Sequence, residues 1–421
     1  MKDINRITVV GAGTTGYLTV FHLCHTYPDK KITWIYPVDN QPIGVGEAII
    51  PDVSRFLGNL GISHQDILKN CNGTLKFGIH FKGWNKPGED YVFTFGYETS
   101  NPKHNSASQQ RIVQTKKIPE GIFEYQDMST HFRVTELLAY LDKTADRFSN
   151  LTIVRENTTL EKIKGTYDLV IDCTGFEKNI SYIPNNFKPI FDKIPNDQVL
   201  LYRHTYTDRE SQCVPYTVSA AMDAGWCFNI PLKHELACGY VHSSKFDVKD
   251  EYVAYLENKF KLKVDPKDIK TVKMTTGRNE IHLKNNIVAM GLASAFIEPL
   301  ESTGLYLVTS AVTKLCEYID GKITEDEYNF FINDEFDSIV DWIVCHYKYS
   351  KRSNQYWDHY KTVPTDRRPI SIFPNSGWDT VLSAFLDDVK RPTESLDPKE
   401  LIKIHKGKPF HEWILDEANF V

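Results

Sequence analysis

Three stretches of the chain carry residue types whose spacing suits chemistry on anions and protons. The first is Gly11-x-Gly13-x-x-Gly16, with Thr14 and Thr15 between the last two glycines. In such a run the first glycine permits a tight turn and the second lets the backbone approach a pyrophosphate. The third lets a helix pack close on a strand, and the helix N-terminus holds the anion. Alone the run is a weak signal. Here a strand-type segment, Ile7–Val10, precedes it and a helical one, Tyr17–Cys24, follows, which is the context it needs. The second stretch is Leu75-Lys76-Phe77-Gly78-Ile79. Most lysines are solvated surface charges, but one inside an apolar strand is a candidate reactive amine, because burial readily lowers a lysine pKa. The third is Glu298-Pro299-Leu300-Glu301-Ser302-Thr303-Gly304, ahead of a helical run. Thr303 and Gly304 at a helix start would offer backbone N–H groups to an anion. Glu301 and Glu298 suit that helix start equally well as acids complementing its dipole.

The elements that position these groups follow from the hydrophobic pattern. Ile7–Val10, the glycine run, a helix from Tyr17 and a second strand over Ile32–Tyr36 form a βαβ unit. The acid expected at the end of that second strand is missing: Tyr36 stands there, and Asp39 comes three residues late. Asp168–Cys173 reads as a further buried strand before Thr174-Gly175, and Val134–Leu141 as a helix. Between Val199 and Met274, alternating Tyr, Val, Phe and Thr predict antiparallel sheet. Asn286–Leu292 is strand-like, and Glu301–Ile319 and Thr324–Tyr347 read as helices. The polar stretch Glu98–Lys117 predicts a long loop.

At 421 residues, 41% hydrophobic and 25% charged, the chain can bury a full core without staples. The balance 49 − 55 = −6 argues against a nucleic-acid or anionic-membrane binder. The eight cysteines show no CxxC pair, so neither zinc nor dithiol chemistry is expected, and no metal site is assigned. No signal-type N-terminal segment and no run of membrane-span length is present, so a cytoplasmic setting with free thiols is the expectation.

Several further motifs resemble the flavin-dependent, tryptophan-type halogenases. Gly44-Val45-Gly46-Glu47-Ala48-Ile49-Ile50-Pro51 is similar to the family's flavin-covering loop. Gly225-Trp226-Cys227-Phe228-Asn229-Ile230-Pro231 resembles GWxWxIP, with Phe228 in place of the second Trp. Phe296–Gly304 closely matches FLEPLESTG, and Leu75–Ile79 resembles the segment that carries the catalytic lysine. Lesser matches are His131-Phe132, with Arg133 where the family usually has Asp, and His346-Tyr347 followed by Arg352 and Trp357. Leu292 follows Gly291 where related FAD monooxygenases carry Asp. The compact length also resembles short viral, cyanophage-type halogenases.

The resemblance implies an α/β fold with α+β segments interleaved. It would combine a Rossmann-like FAD-binding module, an antiparallel substrate-side sheet and a helical C-terminal part. One interleaved core would cover residues 1–360, with FAD segments at 5–51, 168–176 and 286–304. Substrate-side segments would lie at 70–135 and 199–285, and a helical or irregular extension would cover 361–421. The implied activity uses FAD as FADH2, O2 and a halide (chloride, bromide or iodide). Halide attack on a flavin C4a-hydroperoxide gives hypohalous acid, which halogenates an electron-rich indole or phenol. By resemblance Lys76 and Glu301 are catalytic, and Thr303 and Gly304 bind halide. Gly11, Gly13, Thr14, Thr15, Gly16, Gly46, Glu47, Ala48, Ile49, Gly291 and Leu292 hold FAD. Trp226, Phe228, Ile230 and Pro231 wall the flavin, and Phe93, Phe95 and Trp357, with Tyr97, line an aromatic slot. A separate reductase would supply reduced flavin, because no second dinucleotide fingerprint is present. Neither nucleic acid nor membrane is an expected partner; a homo-oligomer is compatible with the sequence. The chain is shorter than well-known tryptophan halogenases, which predicts an open, permissive substrate site. Two alternatives remain: a flavin-dependent aromatic monooxygenase and a non-catalytic FAD-binding protein.

Overall fold

A computed structural model describes residues 3–38, 46–88, 90–95, 129–177 and 180–365. The chain divides into two compact units assembled from alternating segments, one from 1–72, 132–190 and 275–337 and the other from 73–131, 191–274 and 338–421. Asp39, Gly44, Val45, Tyr97, the polar stretch Glu98–Lys117 and most of the 361–421 extension lie outside the described residues.

Unit one is built on a six-stranded sheet. Its order is Leu283–Lys284, Ile287–Ala289, Leu169–Asp172, Arg6–Val10, Lys31–Tyr36, Leu151–Arg155. The last five strands run parallel, and only Leu283–Lys284 is antiparallel to its neighbour. Parallel strands need both faces covered, and the central strand is accordingly buried throughout Ile7–Val10, apolar but for Thr8. The Thr14–Thr26 helix crosses from the first strand to the second. The unit also holds a small antiparallel sheet, Phe187–Pro189, Gly277–Asn279 and Ala295–Phe296.

Unit two is built on a seven-stranded sheet. Its order is Lys270–Lys273, Gln198–Thr205, Glu235–His242, Gly225–Pro231, Thr217–Met222, Gly78–Lys82, Asp90–Thr94. Within 199–274 every strand pairing is antiparallel, as expected. The sheet as a whole is mixed, because Thr217–Met222 also pairs in parallel with Gly78–Lys82, outside that range. A helix, Lys249–Phe260, also interrupts the strands. Its buried Tyr252, Leu256 and Phe260 recur every four residues, a helical spacing masked by the aromatic, strand-type residues around it. Against the sheet packs an aromatic cluster in which Trp84 lies 6.3 Å from Trp226, 5.6 Å from Trp357 and 5.1 Å from Tyr347.

Two further expectations also shift, one of a helix and one of a strand. The Glu301–Ile319 helix begins only at Gly304; Leu300–Ser302 is a separate tight turn. The lysine run is not one strand but two, Thr74–Lys76 and Gly78–Lys82, parted at Phe77. None of the eight cysteines forms a disulfide. Among the described residues no helix is long and apolar enough to cross a membrane.

Candidate active site

In unit one the glycine loop sits between the first strand and its helix. Gly11 has φ +108° and a methyl there would meet the Cys173 carbonyl at 2.4 Å; at Gly16 one would meet the Gly11 carbonyl at 2.0 Å. These two glycines let strands and helix close together. Gly13 differs: nothing lies within 4 Å of the position its Cβ would take, and it caps the helix without a side-chain bond. The first helical turn, which includes Thr14 and Thr15, carries no acid. An open cradle at a helix N-terminus fits a pyrophosphate. The Leu169–Asp172 strand pairs in parallel with Ile7–Val10, as expected for a strand returning beside the loop. The carboxylate of its last residue, Asp172, accepts bonds from the N–H groups of Thr174, Ile180 and Ser181 and the hydroxyls of Thr174 and Ser181. Gly291, with Leu292 in the same turn, lies so close to Thr15 that a methyl would meet its Oγ1 at 2.2 Å. Gly46, Glu47 and Ala48 form a short strand. Ile49 and Ile50 are buried beyond it, and Pro51 opens the next helix.

Unit one also holds the Glu298–Gly304 turn. Glu298 and Glu301 are both buried. Glu301 and Ser302 have φ of 64° and 58°, a left-handed conformation that costs non-glycine residues of order 1–3 kcal/mol each and clusters at functional sites. Thr303 returns to φ −85°, ψ −9°, and caps the Gly304–Ile319 helix without a side-chain bond. A left-handed residue followed by a right-handed one turns successive N–H groups inward as an anion-binding nest. Here that nest opens at the start of a sixteen-residue helix with no acid in its first turn. The turn therefore suits a small anion better than the regular helix expected from sequence.

Unit two holds the lysine. Lys76 is 0% exposed at the end of Thr74–Lys76. Its Nζ stands 5.2 Å from the Phe95 ring centroid, and the Phe95 N–H donates to the Phe77 carbonyl at 3.0 Å. Beside the lysine strand runs Ser129–Arg133, placing His131 opposite Thr74. The Thr74 hydroxyl donates to the Pro231 carbonyl at 2.6 Å, so its contact with His131 Nδ1 at 2.9 Å must be donated by the histidine. Nε2 then accepts from the Thr217 hydroxyl, 2.9 Å away. Burial, reinforced by the Lys76 charge, holds His131 well below the ordinary histidine range, so it is a neutral imidazole with an assigned tautomer. Thr74 and Thr217 carry no sequence signal of their own; His131 stood out only as a lesser match.

Gly225–Pro231 is buried along its whole length, with Trp226, Phe228 and Ile230 on one face by alternation. Phe228 lies against its register partner Gly239, where a Cβ would come within 2.1 Å of the ring. The smaller ring is thus matched by a glycine beneath it. The Trp226 indole N–H has no acceptor among the described residues. Phe93 is on the Asp90–Thr94 strand, but its side chain is outside what is described. Trp357 is fully buried, its Nε1–H donates to the Met222 carbonyl at 3.0 Å, and it belongs to the aromatic cluster around Trp84.

The family model described as Tryptophan halogenase matches residues 6–135 and 150–375. The 7-chloro-L-tryptophan 6-halogenase KtzR of Kutzneria sp. (strain 744) is 26% identical, over 85% of this chain and 82% of its own. The tryptophan 7-halogenase RebH of Lentzea aerocolonigenes is 25% identical, over 83% of this chain and 77% of its own. A tryptophan halogenase structure from Shewanella frigidimarina NCIMB 400 superposes with a TM-score of 0.79 at 20% identity, covering 100% of this chain and 98% of that one. With its family model spanning most of its length, this chain belongs to the tryptophan halogenase family and is a flavin-dependent enzyme.

Proposed function

We propose that the chain uses reduced FAD, O2 and chloride, bromide or iodide to halogenate an electron-rich aromatic ring, an indole or a phenol. The observation that carries the reading is Lys76: a lysine with no exposed surface is rare, and neither a passive FAD carrier nor a simple hydroxylase needs one. FAD would be held by the Gly11–Gly16 loop, the Gly46–Ile49 segment and the Gly291–Leu292 turn. When bound, reduced FAD with O2 supplies the oxidising power that turns halide into hypohalous acid.

The chain's own groups do the rest. The N–H groups of Thr303 and Gly304 hold the halide. The Trp226–Pro231 strand walls the cofactor from the substrate. Lys76 receives hypohalous acid and orients it by donating a hydrogen bond. As the ring carbon takes the halogen, the O–X bond breaks, and its oxygen leaves as water with a proton from the Lys76 ammonium. Glu301 accepts the proton lost from the ring. Phe93 and Phe95 are the proposed substrate contacts, and a separate flavin reductase regenerates the reduced cofactor.

The test is product mass. With a generic flavin reductase, NADH, FAD and an indole or phenol, product should form only with halide and carry its isotope pattern. Product that forms equally well without halide and gains only oxygen contradicts the proposal.

A further inference from the structure

Nucleotide modules of this kind place an acid at the end of their second strand, where it holds the ribose hydroxyls of the adenosine. Here that residue is Tyr36. The structure brings a carboxylate from another element to the hydroxyl of that tyrosine. Asp142, on the Val134–Thr144 helix, accepts through Oδ1 from the hydroxyls of Tyr17 at 3.1 Å and Tyr36 at 3.4 Å. The Arg155 guanidinium approaches the same oxygen at 3.7 Å and donates Nε–H to the Tyr36 hydroxyl oxygen at 3.3 Å. Arg155 is placed by the parallel ladder, in which it is the register partner of Tyr36.

The surroundings tie this group to the glycine loop. Tyr17 lies in the first turn of the helix that starts at Thr14. Trp34 packs edge-on against Tyr17 at 4.6 Å and tilted against Tyr36 at 4.5 Å. Its indole N–H donates to the Gly11 carbonyl at 2.9 Å. One aromatic wall therefore fixes both the phosphate loop and Asp142. Exposure separates the roles: Tyr36 is 6% exposed, whereas the Asp142 and Arg155 side chains are 40% and 54% exposed. Among the described residues the contacts to Asp142 all use Oδ1. A carboxylate has about four lone-pair sites, so Oδ2 retains acceptor capacity for a diol.

We propose that Asp142 is the ribose-binding acid for the adenosine end of FAD, held in place by Tyr17, Tyr36 and Arg155. This rests on the FAD reading and narrows it. The tyrosine at the strand end then supports the acid instead of replacing it.

The test is flavin binding to the full chain stripped of flavin, followed by flavin fluorescence. The ligands are FAD, FAD with a 2′-deoxy adenosine ribose, and FMN, which lacks the adenosine. Asp142→Ala and Asp142→Asn should weaken FAD by about tenfold to a hundredfold, the worth of hydrogen bonds to a charged group. FMN binding should be unchanged. The 2′-deoxy analogue should bind the wild type more weakly than FAD does, yet bind Asp142→Ala as well as FAD does. The proposal is overturned if FAD affinity changes less than twofold. It is equally overturned if FAD and FMN weaken together, which would mark a structural role, or if Asp39→Ala produces the loss instead. A wild type that binds neither flavin overturns the FAD reading itself.

Discussion

His131 braces the strand that ends at Lys76. Its ring joins Thr74 at the start of the lysine strand to Thr217 on the neighbouring sheet, so its loss should loosen the strand that ends at Lys76. Its neutrality has a measurable consequence. Folded His131 stays unprotonated because burial lowers its pKa, whereas in the unfolded chain it takes a proton below about pH 6.5. The unfolded state then binds more protons, so this contribution to stability is complete above about pH 6.5 and is lost as pH falls. His80, His204 and His242 are lowered by burial in the same direction, and His22 is pushed down to about 4. The wild-type melting temperature should therefore fall between pH 7.5 and 5.5. His131→Gln, which keeps a donor and an acceptor but does not titrate, should show a shallower fall. Identical slopes would contradict the assignment. Lys76 was legible in the sequence because a charge interrupts an apolar run. The histidine support was not, because it depends on hydroxyls 57 and 86 residues away from His131.

At the scale of elements, the glycine loop makes a prediction that separates packing from binding. Gly16→Ala would put a methyl 2.0 Å from a backbone carbonyl, an overpacking that costs about 1–3 kcal/mol. Gly13→Ala meets nothing, and Gly13 has φ −76°, which alanine adopts freely. Gly13→Ala should melt with the wild type and lose FAD affinity, whereas Gly16→Ala should lose stability. If Gly13→Ala binds FAD normally, the cradle is not where the pyrophosphate sits. The loop was legible because glycine spacing, strand and helix agree locally. The Glu301–Thr303 turn was not. Its residues read as the opening of a helix, and nothing in Glu-Ser-Thr signals two successive left-handed residues, which glycine or asparagine would normally supply. The Lys249–Phe260 helix was missed for a different reason. Its four-residue apolar spacing is present but sparse, amid Tyr, Val and Phe that favour strands.

At the scale of the whole molecule, both units are assembled from segments far apart in sequence, so no linker marks a boundary and composition alone could only bound the size. The parallel sheet was legible from its first βαβ unit. The parallel pairing of Thr217–Met222 with Gly78–Lys82 was not, because alternation specifies which face is buried and not strand direction. In the proposed reaction Lys76 is the residue on which halogenation would depend and which FAD binding would not need. The most direct measurement is halogenated product from Lys76→Ala and wild type, with bromide, FAD and a flavin reductase, alongside FAD affinity for each. The account predicts unchanged FAD affinity and product reduced at least a hundredfold, a loss of about 2.7 kcal/mol of transition-state stabilisation. Brominated product at the wild-type rate from Lys76→Ala would contradict it.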